Sequence, residues 1–359
     1  MQTTFVSATE LSRSRAISRL LIVRLSAMGD VLHALPAVAA LRVALPATHF
    51  GWVVERRWAD LVQAALVNVG GGSRPIVDQV HIVNFKGWRR SITSRPTWHE
   101  AEGAIKEIRG AGYEVAVDFQ GAVRSSLLAR LSGAPTIYGF AEPRENVASM
   151  FYTKTVLTRK RHVIEQNLLL ASEVAAPLHV PPFEFKCPAS SSTFVAPGGQ
   201  GYVVLNPGAG WGAKEWPAER YGEVAKRLTD ELGVSCLINT GPGEDRLMHA
   251  VESASGGAAA PISCSPVELI NVIRGARLFI GGDTGPMHLA AALKIPVVAI
   301  FGPTDPARTG PFGTRSLVLR SPRSRTTLSH QKAPDSAMLE ISAEDVVKAA
   351  QQLLGAPGE

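Results

Sequence analysis

The sequence predicts an α/β protein built as two doubly wound domains that face a central cleft. Three observations carry that reading. Short apolar, β-type runs alternate with helix-period segments from residue 20 to 131, a Ser/Pro/Gly-rich break follows at 188–201, and the alternation restarts at Tyr202. Such alternation builds a parallel sheet covered by helices, and ligands bind such sheets beyond the carboxyl ends of the strands. A chain of 359 residues exceeds one ordinary core and suits two.

Residues 1–19 lack a continuous apolar segment and read as a flexible extension rather than a secretory signal. The first domain spans 20–187. Its strands are expected at Leu20–Leu25, Phe50–Val54, Gln79–Val83 and Glu114–Phe119, with helices at Val31–Ala44, Arg57–Leu66, Thr97–Gly110 and Ala122–Leu131. The linker is 188–201 and the second domain 202–340. There, strands are expected at Tyr202–Asn206, Val234–Asn239, Arg277–Ile280 and Pro296–Phe301, and helices at Ala218–Leu232, near Glu244–Val251, at Pro266–Gly275 and at Thr284–Leu293. A terminal helix within 341–359 is free to pack back on the first domain.

Apolar residues make up 45% and charged residues 19%, the composition of a packed domain rather than a disordered chain. A net charge of +6 suits an anionic partner without choosing between nucleic acid, a phosphorylated substrate and an acidic membrane surface. Cys187, Cys236 and Cys264 are scattered and show no metal-type spacing, so buried thiols in a reducing compartment are expected. Arg24 and Asp30 interrupt the most apolar stretch, which excludes a spanning helix there.

Strand 277–280 runs directly into Gly281-Gly282-Asp283-Thr284-Gly285-Pro286-Met287-His288. Glycines permit a tight turn and close ligand approach, Asp283 or Thr284 can cap the helix, and Pro286 fits its first turn. Unpaired N–H groups and the helix dipole favour an anion there, although a capped helix without ligand explains the same residues. A second glycine-rich loop, Asn206–Pro217, ends a strand and carries Lys214, a charge suited to a diphosphate or simply a surface lysine. Phe301–Pro306 forms a third strand-end loop.

In the first domain Asp30 sits at the first strand-to-helix turn, as a helix cap or as a general base facing the cleft. The dipole favours its charged form, so desolvation by substrate would have to strengthen it as a base. Lys86, Arg89, Arg90, Arg124 and Arg144, with a denser run at Lys154 and Arg159–Arg161, are either solvated charge or an acceptor site for phosphate or carboxylate.

RLSAMGDVLHALPA, NPGAG…KEWP, GGDTGPMHLAAAL and FGPTDP occur in this order. With them the chain, from about Leu20 to Leu354, resembles the lipopolysaccharide heptosyltransferases of glycosyltransferase family 9. The resemblance implies the GT-B fold of two Rossmann-like domains. It implies inverting, metal-independent transfer of heptose from ADP-L-glycero-D-manno-heptose to Kdo-lipid A, without a cofactor. The absence of any Asp-x-Asp fits.

By resemblance, Asp30 is the catalytic base, and Ala209, Gly210 and Lys214 hold the donor phosphates. Asp283 contacts the donor sugar, while Thr284, Gly285, Pro286, Met287 and His288 surround the pyrophosphate. Lys86, Arg89, Arg90, Arg124 and Arg144 match basic acceptor-binding positions, with Gly87 where a further charge is expected. The implied partners are the donor, the Kdo-lipid A acceptor and the cytoplasmic face of the inner membrane, met peripherally. FGPTDP followed by PFG looks more like the first heptosyltransferase than the second. Segment Ser321–Leu339 matches no usable motif.

A family member with another nucleotide sugar or acceptor and a non-catalytic nucleotide- or lipid-binding module are the competing readings. A dinucleotide-binding dehydrogenase lacks its GxGxxG and acidic ribose ligand here, and no nucleic-acid-binding motif is present.

Overall fold

A computed structural model describes residues 17–69, 71–91, 93–186, 201–327 and 335–355. The interior of the expected linker and residues 1–16 of the expected extension lie outside these.

The first domain opens with β1 (Arg19–Val23), α1 (Met28–Ala44), β2 (His49–Glu55) and α2 (Ala59–Ala64), followed by β3 (Ala65–Val69), β4 (Gly72–Pro75) and β5 (Gln79–Val83). Next come α3 (Phe85–Arg90), α4 (Arg95–Gly110), β6 (Val115–Asp118), α5 (Val123–Leu131), β7 (Thr136–Phe140), β8 (Lys154–Val156), α6 (Val163–Ser172) and β9 (Phe183–Phe185). The second contains β10 (Tyr202–Asn206), α7 (Ala218–Leu232), β11 (Ser235–Asn239), α8 (Asp245–Ser255), β12 (Ala259–Ile262) and α9 (Glu268–Arg274). It ends with β13 (Ala276–Gly282), α10 (Gly285–Ala292), β14 (Val297–Phe301), α11 (Pro306–Thr309), β15 (Ser316–Arg320) and α12 (Ala343–Gly355).

The two main sheets share one topology. Their strand orders are β5-β2-β1-β6-β7-β8 and β12-β11-β10-β13-β14-β15, and the pairs described in both are parallel. Each is the doubly wound order 3-2-1-4-5-6, with its topological switch point between the first and fourth strands. That places the loops after β1 and β6, and after β10 and β13, at the two positions where such sheets bind ligands. In the first domain β3, β4 and β9 form a separate antiparallel sheet.

Helix α1 joins the domains. Of its 17 residues 14 are buried, where the spacing of Leu32, Leu35, Val38 and Leu41 predicted one apolar face. A helix buried on all sides is one covered on all sides: α1 packs against α6 and against α10. Small side chains at Ala34, Ala37, Ala39 and Ala40 in α1, and the alanine-rich sequence of α10, suit such close packing. One apolar cluster therefore runs from Leu20, Val38 and Trp52 to Ile273, Phe279 and Leu289.

Gly29 lies at this junction, where an added Cβ would stand 2.4 Å from Cδ2 of His288. Gly29→Ala should destabilise the fold by about 1–3 kcal/mol through overpacking. Thermal melting checks this; an unchanged melting temperature would mean the junction yields without cost.

Three expectations are corrected. Arg19 already belongs to β1, because it pairs with His49 in the ladder to β2. The helix expected at Arg57–Leu66 stops at Ala64, since Ala65 and Leu66 pair with Phe185 and Glu184 in the small sheet. Helix α12 packs on the second domain, not the first: Val346, Val347 and Ala350 are buried in a cluster with Val203, Leu205 and Val298.

Candidate active site

The loop after β1 and the loop after β13 meet where α1 and α10 begin. An added Cβ at Gly285 would lie 2.7 Å from Met28, so the two helix starts are in contact.

On the first-domain side Asp30 ties down the start of α1. Its Oδ2 accepts from the Ala27 N–H at 3.1 Å, half of a capping box, and its Oδ1 lies 2.6 Å from Nη2 of Arg24. About a third of the Asp30 side chain stays exposed, whereas Arg24 is buried. Arg24 also donates to the Phe119 carbonyl, and Gln120 Oε1 accepts from the Leu25 N–H at 2.7 Å. These bonds tie the ends of β1 and β6 together. Beneath them Asp118 is fully buried and accepts from Tyr152 Oη, Ser125 Oγ and the Gln120 N–H. Burial pushes its carboxyl above the usual range despite these donors.

A groove of about 490 Å³ in the first domain starts at Ser26, on the β1–α1 turn that also carries Asp30, and is lined by Lys86, Arg89, Arg90 and Arg124 among others. Arg124 donates to Ser26 Oγ at 3.1 Å. Arg144 does not line it; it sits on the loop after β7, its backbone against Gly121. The groove also holds Arg57, Trp58 and Glu55, which the sequence reading did not select. Burial raises the Glu55 carboxyl, against the pull of Arg124 and Lys86. Gly87 has a local cause: Asn84 caps α3 by accepting from the Gly87 N–H at 3.1 Å, and a Cβ at 87 would lie 2.4 Å from Nδ2 of Asn84.

On the second-domain side neither Asp283 nor Thr284 caps α10. Thr284 holds the N-cap position, but its hydroxyl donates to the Gly282 carbonyl at 3.3 Å. Asp283 turns to Lys214 (Nζ to Oδ2, 2.6 Å) and His288 (Nε2 to Oδ1, 3.3 Å). The first N–H groups of α10 therefore receive no side-chain cap, as an anion site requires. Burial works against the charged form of Asp283, yet the His288 hydrogen bond and the Lys214 charge outweigh it and hold the carboxyl well below the usual range. Lys214 lies 4.2 Å over the Trp211 ring, which steadies its long side chain.

Gly210 is open where a Cβ would stand, and Ala209 is half-buried. Met287 is fully buried in the core, so any phosphate contact there belongs to its N–H; Pro286 has none. A further group lies beside the loop: the carboxylate of Glu244 would stand 2.2 Å from a Cβ on Gly208. Glu244 follows the second strand of this sheet, where doubly wound folds place an acid for a ribose hydroxyl. The missing GxGxxG hid that signal. The described parts of Ser321–Leu339 brace the Lys214 turn, with Asp335 N–H to Ala213 O at 3.3 Å, and the loop after β14, with Thr327 N–H to Pro303 O at 2.8 Å.

The domains are also linked by Arg161 to Asp305 at 3.2 Å and by His162 Nε2 to the Gly310 carbonyl at 3.1 Å. Part of the basic run thus holds domain to domain.

The sequence model of glycosyltransferase family 9 (heptosyltransferase) matches residues 103–337. Lipopolysaccharide heptosyltransferase 1 of Pseudomonas aeruginosa is 31% identical over 312 residues, covering 84% of each chain. Its counterpart in Escherichia coli K12 is 30% identical, covering 85% of this chain and 94% of its own. Among solved structures, E. coli heptosyltransferase WaaC with ADP matches at a TM-score of 0.76 with 26% identity, over 93% of this chain and 99% of that one. Two doubly wound domains meeting at their switch-point loops, together with these matches, define a GT-B glycosyltransferase. The chain belongs to glycosyltransferase family 9, the heptosyltransferase family.

Proposed function

We propose that this enzyme transfers heptose from ADP-L-glycero-D-manno-heptose to Kdo-lipid A, with inversion and without a metal. The observation that carries this is the meeting of the Asp30 turn with the Lys214–Asp283–His288 cluster at one helix junction. Asp30 takes the proton of the acceptor hydroxyl as its oxygen attacks the anomeric carbon. The bond from that carbon to the β-phosphate oxygen breaks on the opposite face, and ADP departs. One displacement inverts the centre.

Lys214 and the uncapped N–H groups of α10 stabilise the departing diphosphate, the part a cation plays in other enzymes. Glu244 receives a ribose hydroxyl. The groove lined by Lys86, Arg89, Arg90 and Arg124 binds the anionic acceptor, and Arg144 meets it from outside. No helix among the described residues is long and apolar enough to cross a membrane, so contact with the inner membrane's cytoplasmic face is proposed as peripheral.

Similarity to lipopolysaccharide heptosyltransferase 1 of P. aeruginosa and E. coli supports the heptosyltransferase 1 reading. A thermal-shift panel of ADP-, GDP- and UDP-sugars, followed by transfer to Kdo-lipid A, tests it. ADP-heptose should stabilise the protein most, since bound ligand stabilises by mass action, and ADP should then be released only with acceptor present. A larger shift with a GDP- or UDP-sugar, or binding without transfer, would assign a different donor or a non-catalytic role.

A further inference from the structure

We propose that His33 is a positioning residue for the donor site: from the first domain it hydrogen-bonds His288 of the second and so holds Asp283 and Lys214 ready for a diphosphate. The inference rests on reading the Lys214–Asp283 turn as the diphosphate site.

His33 lies on α1, one turn beyond Gly29, and is 4% exposed. Its Nε2 is 3.1 Å from Nδ1 of His288, and the two rings stand 4.2 Å apart at 65°. The other nitrogen of His288, Nε2, faces Asp283 Oδ1 at 3.3 Å, and Lys214 faces Oδ2 at 2.6 Å. Four side chains thus form one row across the domain boundary.

Hydrogen-bond chemistry orders the protons in this row. Charged Asp283 can only accept, so His288 carries its proton on Nε2. Nδ1 of His288 then accepts, and the Nε2–H of His33 donates. This leaves Nδ1 of His33, which is buried and has no partner, as a bare lone pair. The reverse order would need a protonated His288 donating to His33 and would bury an unpaired N–H on His33, the rarer arrangement in folded proteins. Burial, with the nearby Arg24 charge, holds His33 well below its usual pKa, which agrees with a neutral ring.

Simple filling of space does not require this pair. An aliphatic side chain would occupy the interior of α1 at lower desolvation cost. What an aliphatic chain lacks is a donor to fix the His288 ring, and the nitrogen opposite such a bond is the one that meets Asp283. His33 itself is set by α6: Asn167 Nδ2 donates to the His33 carbonyl at 2.9 Å. The donor site is therefore finished by the acceptor-side domain.

The test compares wild type, His33→Leu and His33→Gln. Leucine keeps bulk without a donor, whereas the glutamine amide offers an N–H near the position of Nε2. ADP binding is measured by calorimetry, and imidazole 15N shifts report the tautomers. His33→Leu should weaken ADP binding about 10-fold, the value of one hydrogen bond, and His33→Gln should restore most of it. The wild-type spectrum should show His288 neutral with its proton on Nε2, and His33→Leu should change it. Unaltered ADP affinity in His33→Leu, or a wild-type His288 protonated on Nδ1, would overturn the proposal. Wild type that binds no ADP would overturn the diphosphate reading as well. If His33→Leu does not fold, the wild-type tautomers and the ADP affinity of His33→Gln decide the matter.

Discussion

Replacing Asp30 by asparagine should slow sugar transfer by about 10²–10⁴-fold, the range for loss of a positioned general base, while leaving ADP binding nearly unchanged. Asparagine keeps the tie at the start of α1 but removes both the base and the charge paired with Arg24. Its amide oxygen can still accept from the Ala27 N–H as Asp30 Oδ2 does, so the start of α1 remains tied. It cannot take a proton. Asp30→Ala removes both roles and should add a stability loss of about 1 kcal/mol for the lost cap. It also leaves buried Arg24 without its carboxylate. Donor-saturated turnover and calorimetric ADP binding on both variants separate the effects. Turnover within 10-fold of wild type in Asp30→Asn would move the base elsewhere, with Glu55 the next carboxylate in the groove.

Much of this architecture was legible because its strands are apolar runs set between helix-period segments. β1, β2, β6, β10 and β14 are buried almost throughout, and such runs stand out from flanking glycine and polar residues. Several of the elements that escaped lack that contrast. β8 is three residues at a sheet edge, β12 contains Pro261, and β4 is Gly72-Ser73-Arg74-Pro75, held as a strand by pairing with β3 rather than by its own propensity.

The site followed the same division. Asp283 follows β13 directly, Asp30 lies in the first turn of the helix after β1, and Lys214 in the connection after β10, so the sequence places them near strand ends and the fold brings those ends together. His33 escaped selection because nothing in α1 alone distinguishes a histidine that serves a partner 255 residues away from one that fills a core. Arg144 shows the converse. It stands at the correct sheet end, yet only the course of the loop after β7 decides whether it reaches the groove.

Lys214→Ala should be the most damaging change in the second domain, through two effects that can be separated. The Lys214–Asp283 pair is almost fully buried, with side chains 11% and 6% exposed. Removing one member of such a pair costs about 3 kcal/mol, a melting-temperature drop on the order of 5–10 °C. The cost should depend on pH. The Asp283 carboxyl is held below its ordinary range, so its contribution is complete above the unfolded value of about 4 and is lost as pH falls through the folded one. Wild type and variant should therefore differ most near neutrality and converge in acid. Catalysis should suffer independently, because the departing diphosphate loses a charged donor, an effect of about 10²–10³-fold in turnover. The double variant Lys214→Met with Asp283→Asn distinguishes the two. Replacing both charges removes the stranded carboxylate, so stability should return toward wild type, while turnover stays low because no cation meets the leaving group and the donor sugar loses the Asp283 carboxylate. Recovery of turnover along with stability would show that Lys214 serves the fold alone, and the diphosphate would then be left to the backbone N–H groups at the start of α10.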